Sequence, residues 1–244
     1  MSRLLLVGLV IAHPLQVVAQ QEELPGSIPA PTVLRWWHGA LALGGLSAFM
    51  LLDQPLQALV QGERSASKDE LAGTLRRFGQ IEVYGTVTAG LVAAGVVSGN
   101  AKLTRSGGRL AATLAFAGAA GMAGKLLMGR PRPEHSGDAD GYVPFSGQVA
   151  MPSGHTAMAF AFATALSDDI RRPWATVGLY TLATGVGWSR LNDNRHWLTD
   201  VAAGAALGIT SAKLMNGRWR MFGLRPPSVL LGPSNAGLAW QVEF

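Results

Sequence analysis

Between Lys125 and Asp200, a segment made mostly of Ala, Gly, Leu and Val carries an unusual set of polar side chains. In order they are Lys125; Arg132 ahead of Pro133; the run Pro152, Ser153, Gly154 and His155; Ser189 and Arg190; His196; and Asp200. Lys125, Arg132 and Arg190 are cations, and with two histidines and one carboxylate they suit chemistry on a phosphate ester. A transferring phosphoryl group spreads negative charge over its oxygens, so catalysis is mostly positioning and charge stabilisation by fixed cations and N–H donors.

The neighbouring residues say how such groups are held. Gly129, Pro131 and Pro133 predict an end to the helix that carries Lys125, leaving Arg132 on a stiff turn with its guanidinium fork free to meet an oxyanion. Ser153 precedes a long apolar run and is a natural N-cap, which places free backbone N–H groups at a helix start, where anions bind. His196 and Asp200 are four apart at the start of another apolar run. On a helix they share a face, and the carboxylate can fix the imidazole tautomer. This is the arrangement of an attacking group and its orienter, with histidine as nucleophile. The attacking imidazole must be neutral; nearby cations favour that and Asp200 opposes it. His155 is then the candidate acid for the leaving oxygen.

Lys, six residues, Arg-Pro; Pro-Ser-Gly-His; and Ser-Arg, five residues, His, three residues, Asp together form a pattern that resembles the type-2 phosphatidic acid phosphatase superfamily. That superfamily includes bacterial nonspecific acid phosphatases and shares its site with vanadium haloperoxidases. Every position of the pattern is matched, and the resemblance covers residues 80–215. It implies that His196 forms a phosphohistidine, that Asp200 orients it, and that His155 is the general acid. Lys125, Arg132, Ser153, Gly154 and Arg190 are implied to hold the phosphate. The implied activity is hydrolysis of phosphomonoester or pyrophosphate bonds of a lipid or isoprenoid phosphate, with no metal and no cofactor. A soluble periplasmic acid phosphatase with the same site is the alternative, and a vanadium haloperoxidase a more distant one.

Composition sets bounds around that site. The 244 residues suit one domain of moderate size. Charged residues make up only 14% and there are 31 glycines, which fits closely packed helices better than an ordinary soluble enzyme. With no cysteine there is neither a disulfide framework nor a thiolate metal site. The formal charge of +5 comes from cations scattered along the chain, so nucleic acid is not an expected partner; a phosphorylated substrate and a membrane are.

Five apolar runs, 83–101, 110–128, 156–167, 173–188 and 197–214, predict an all-α bundle of about six helices embedded in a membrane. Alternating the runs up and down brings the end of the second, the start of the third, the end of the fourth and the start of the fifth to one side, where the motifs lie. Gly95 with Gly99, and Gly204 with Gly208, have the spacing for close helix approach. A membrane span needs about 20 apolar residues. Some runs are shorter, so an embedded bundle and a periplasmic body both remain open.

The side opposite the motifs carries Lys102, Arg105, Arg109, Arg171, Arg172, Lys213, Arg218 and Arg220, which favours that side as cytoplasmic and the site as periplasmic. A cleaved signal followed by a spanning first helix would reverse this assignment. Residues 1–19 read as such a signal and 20–35 as a linker. Residues 36–79 are expected to form N-terminal helices: an apolar one to residue 52, then amphipathic ones lying across one end of the bundle. The core follows at 80–215, and the tail at 216–244 holds two short strands around Ser234 and Asn235.

Overall fold

The computed structural model describes residues 31–221 and the backbone of two further strands. The expected signal at 1–19 lies outside the described residues. Among them are seven helices: α1 (Trp36–Gly62), α2 (Ala66–Arg77), α3 (Ile81–Val97), α4 (Ala101–Met128), α5 (Gly154–Ile170), α6 (Pro173–Asn192) and α7 (Leu198–Met215). The architecture is the all-α bundle that the apolar runs predict.

Helix ends follow local chemistry. Asn100 starts α4 by accepting from the N–H groups of Lys102 and Leu103 at 3.1 and 3.2 Å, and Gly129 ends it in the left-handed region at φ 52°. Pro173 opens α6, where its missing N–H costs nothing. Ser153 occupies the N-cap of α5 as expected, but its Oγ pairs with Thr156 Oγ1 at 2.9 Å and makes no side-chain capping bond.

The centre of the bundle is α5, whose Ala157, Ala159, Ala161, Ala163 and Ala165 are buried against α4, α6 and α7. Small residues set the helix spacing. A Cβ on Gly204 would lie 2.6 Å from the Ser153 carbonyl oxygen, and one on Gly208 would lie 2.3 Å from that of Ala157. Gly95 likewise admits the Thr104 backbone, at 2.4 Å from its Cβ position. Gly99 does something different from the close approach expected of it: its φ of 66° turns the chain out of α3, and nothing lies within 4 Å of its Cβ position.

The N-terminal region departs from expectation in a way that matters for the site. The expected apolar helix and the first amphipathic one are a single helix, α1, which continues through Pro55 to Gly62, and α2 follows as the second. Its buried side chains are Asp53 and Gln57, while Leu59 is exposed. The apolar residues point outward because the interior they would have filled is polar at that end.

Outward apolar surface is extensive. Trp36, Leu41 and Leu51 are 85%, 68% and 80% exposed, a surface that water does not tolerate over such an area. Three stretches, Trp36–Gly62, Ala66–Val97 and Ala101–Met128, are long and apolar enough to cross a membrane. This is the surface of a membrane protein.

Residues 32–34, inside the expected linker, form β1 (Thr32–Leu34), which pairs in parallel with β2 (Trp219–Met221) and joins the start of α1 to the end of α7. The tail carries the expected strand pair: β3 (Ser228–Gly232) runs antiparallel to β4 (Asn235–Ala239), with Gly232 opposite Asn235.

The α5–α7 contact yields a test. Gly208→Ala drives a methyl into backbone atoms that cannot yield, so it should destabilise by roughly 1–3 kcal/mol. Gly178→Ala, at an exposed α6 position with nothing within 4 Å, should be neutral or slightly stabilising. Thermal melts in detergent micelles compare the two.

Candidate active site

The end of α4, the start of α5, the end of α6 and the start of α7 meet at one end of the bundle, as the up-and-down alternation predicts. A Cβ on Gly154 would lie 3.9 Å from Lys125 Cε, in ordinary contact, which places the lysine side chain beside the first turn of α5. Ser153 is buried, and its N–H donates to the Asp200 carbonyl at 2.9 Å, tying the start of α5 to the first turn of α7. The loop carrying Arg132 reaches the same place through Glu134, whose N–H donates to the Asn194 carbonyl at 3.2 Å.

His196 is 3% exposed and precedes the α7 N-cap, Trp197, so it lies off the helix and shares no helical face with Asp200. The expected carboxylate–imidazole hydrogen bond is replaced. His196 Nδ1 is 2.7 Å from the Ala150 carbonyl, whereas Asp200 Oδ2 is 3.7 Å away and acts by charge. A carbonyl only accepts, so Nδ1 carries the proton and Nε2 keeps its lone pair. Asp200 is occupied elsewhere: Oδ2 accepts the Trp197 N–H and Oδ1 accepts Arg130 Nη1, each at 2.8 Å. Burial pushes the His196 pKa below that of an ordinary histidine; Asp200 opposes this, and Lys125 and Arg190 add to it. The imidazole is therefore neutral at pH 7, as a nucleophile must be.

The cations are held but not exhausted. Arg190 gives Nη1 to Asp193 Oδ2 at 2.8 Å, and that same oxygen accepts Arg76 Nη1 of α2 at 2.7 Å. Lys125 Nζ donates to the Val149 carbonyl at 2.6 Å. The Nε groups of Arg132 and Arg190 are buried with no protein partner, which suits them to an anion. His155 lies against Gly79, where a Cβ would come within 3.2 Å of its ring. Burial, then Arg190, His196, Arg76 and Lys125, push His155 down to about 4. A phosphate dianion among these cations would oppose their share of that shift and favour the protonated ring.

All eight residues expected at the site are thus brought together, and four unanticipated ones join them: Arg130, Asp53, Arg76 and Asp193. Arg130 sits one proline away from Arg132, but only Arg132 falls on the motif spacing. Asp53 had a signal of its own, since a carboxylate inside a long apolar helix is rare without a purpose. Among the described residues, no three or more His, Asp or Glu side chains are grouped to hold a metal ion.

Residues 106–222 match the PAP2 superfamily. A lipid A 1-phosphatase of Porphyromonas gingivalis is 46% identical over 99 residues, 40% of this chain and 20% of that protein. One from Rhizobium etli is 34% identical over 107 residues, 42% of this chain and 45% of that protein. The matched stretch thus spans less than half the length of either relative. Two crystal structures share the fold. Aquifex aeolicus LpxE has a TM-score of 0.53 at 23% identity, covering 68% of this chain and 94% of that one. A PAP2-type phosphatidylglycerolphosphate phosphatase from Bacillus subtilis has a TM-score of 0.56 at 18% identity, covering 75% and 92%. The matched segment holds every motif position from Lys125 to Asp200, and the family whose model matches it is the one expected from that motif.

Proposed function

We propose that this protein is a membrane phosphatase that removes a phosphate group from a lipid headgroup through a phosphohistidine on His196. The observation that carries the reading is the buried, neutral His196. Its Nδ1–H is held by the Ala150 carbonyl, and it lies among Lys125, Arg132, Arg190 and the N-terminus of α5.

In this reading Nε2 attacks phosphorus while the phosphorus–oxygen bond to the ester breaks, and the leaving oxygen takes the proton of His155. The imidazolium formed on His196 is balanced by the Asp200 charge. Lys125, both arginines and the free N–H groups of Gly154 and its neighbours hold the equatorial oxygens. Water, deprotonated by His155, then attacks the phosphohistidine, releasing inorganic phosphate and restoring His196. No step calls for a metal ion or a cofactor.

The lipid A 1-phosphatase names of the two relatives support a lipid with a phosphorylated polar head, and the apolar outer surface disfavours the soluble periplasmic alternative. Lys102, Arg105, Arg171 and Arg172 at the far end support a periplasmic site, with residues 80–215 as the catalytic core. Phosphate release from a panel of lipid and soluble esters tests the substrate class.

Two variants test the mechanism. His196→Ala should lower turnover by roughly 10⁴-fold or more, because the covalent acceptor is gone. Quenching with labelled substrate should leave acid-labile label on the wild type and none on the variant; label on a serine contradicts the assignment. His155→Ala should lose far more activity on an alkyl phosphate than on a nitrophenyl phosphate, which leaves without a proton. Equal losses in kcat on both substrates would make His155 a positioning residue.

A further inference from the structure

Arg130 is the largest fully buried side chain among the described residues, and each end of its guanidinium meets a carboxylate. Nη1 donates to Asp200 Oδ1 at 2.8 Å, Nη2 to Asp53 Oδ2 at 2.6 Å, and Nε to the Ala139 carbonyl at 2.8 Å. Both carboxylates and the arginine have no exposed side-chain surface. The remaining oxygen of Asp53 accepts the Thr199 N–H at 2.8 Å, in the first turn of α7. Tyr142 and Trp197 cover the guanidinium, with ring centres 5.0 and 5.6 Å away.

We infer that Asp53 and Arg130 are positioning residues of the site: Asp53, on α1 outside the matched segment, holds Arg130, and Arg130 holds the Asp200 carboxylate off the His196 imidazole. The chain of contacts gives each a defined electrical effect. Arg130 draws Oδ1 of Asp200 and the Trp197 N–H draws Oδ2, so neither oxygen approaches Nδ1 closely enough to compete with the Ala150 carbonyl. The arginine charge also offsets Asp200, which alone would favour an imidazolium, and Asp53 offsets the arginine in turn. The charged and titratable groups that face the site are Asp53 from α1, Arg76 from α2, Lys125 from α4, Arg130 and Arg132 from the following loop, His155 from α5, Arg190 from α6 and Asp200 from α7. Of these, Asp53 and Arg130 are the pair that reach His196 only through Asp200.

The two substitutions should therefore act differently on His196, Arg130→Gln raising its titration and Asp53→Asn not raising it, which a merely structural role would not do. Protein labelled with nitrogen-15 at histidine, in micelles, is titrated by NMR, with His196→Gln to assign the signal. Arg130→Gln should raise the His196 titration by about one pH unit or more, and Asp53→Asn should leave it at or below the wild-type value. An unmoved titration in Arg130→Gln, or a rise in Asp53→Asn, overturns the inference.

The kinetic arm rests on the proposed phosphohistidine reading. Both variants should lose about tenfold or more in kcat with KM little changed, the scale on which partners behind a catalytic group act. A raised KM with kcat retained overturns the inference, since it would put these residues on the substrate. If Arg130→Gln does not fold, Asp53→Asn decides: lost kcat with KM little changed, measured below its thermal midpoint where the variant is folded, supports the inference, and wild-type kcat overturns it. If the wild type cleaves no ester in the panel, the functional reading fails while the titration still decides this one.

Discussion

Everything at the catalytic end depends on one electrostatic constraint: charge placed in an apolar helical bundle must be compensated inside it. An uncompensated buried ion costs several kcal/mol, and removing one partner of a buried pair typically costs about 3–5 kcal/mol. The triad of Asp53, Arg130 and Asp200 meets this constraint with every charged group fully buried and hydrogen-bonded. Burial alone would lower the Arg130 pKa, but Asp200 and Asp53 more than reverse this, so the arginine stays charged. The same contacts fasten α1 to the loop after α4 and to the first turn of α7. A helix exposed along most of its length is thereby anchored at its polar end.

Glycine supplies the geometric counterpart. With Gly204 and Gly208 against the carbonyls of Ser153 and Ala157, α7 lies on α5 almost backbone to backbone. Ser153 N–H can then reach the Asp200 carbonyl. The start of α5 and the residues flanking His196 are fixed to each other through main chain, which holds position better than long side chains do. Gly79 does the same at smaller scale, making room for the His155 ring.

Much of this was legible in the sequence, and the reasons it was not all legible are physical. The motif residues, the helix ends that carry them and the end at which they meet follow from spacing, proline and glycine positions and the alternation of apolar runs. The strand pair in the tail follows from a period of two. The His196–Asp200 relation was misread because four-residue spacing implies a shared face only within a helix, and α7 begins after His196. Pattern alone could not say that the Ala150 carbonyl, 46 residues away, takes the Nδ1 proton. The polar buried face of α1 was hidden for a related reason. Periodicity assumes that apolar residues turn inward, and in a membrane protein they also turn outward.

The remaining polar pairs explain how a cluster of like charges stays ordered before a substrate arrives. Arg76, Lys125, Arg132, Arg190 and Arg195 crowd one end of the bundle, and mutual repulsion would splay them. Asp193 joins Arg76 to Arg190 through a single oxygen, while Glu134 bonds Arg195 and lies 3.6 Å from Arg132. Each carboxylate takes one corner of a guanidinium and leaves the others unengaged. Five cations against Asp193, Glu134 and the single net negative charge of the Asp53–Arg130–Asp200 triad keep the pocket net positive. Anions are therefore still attracted, and the arginines are already aimed, so little reorganisation is left for the moment of reaction. Full neutralisation would have quieted the cluster at the expense of phosphate affinity; partial pairing preserves both order and charge.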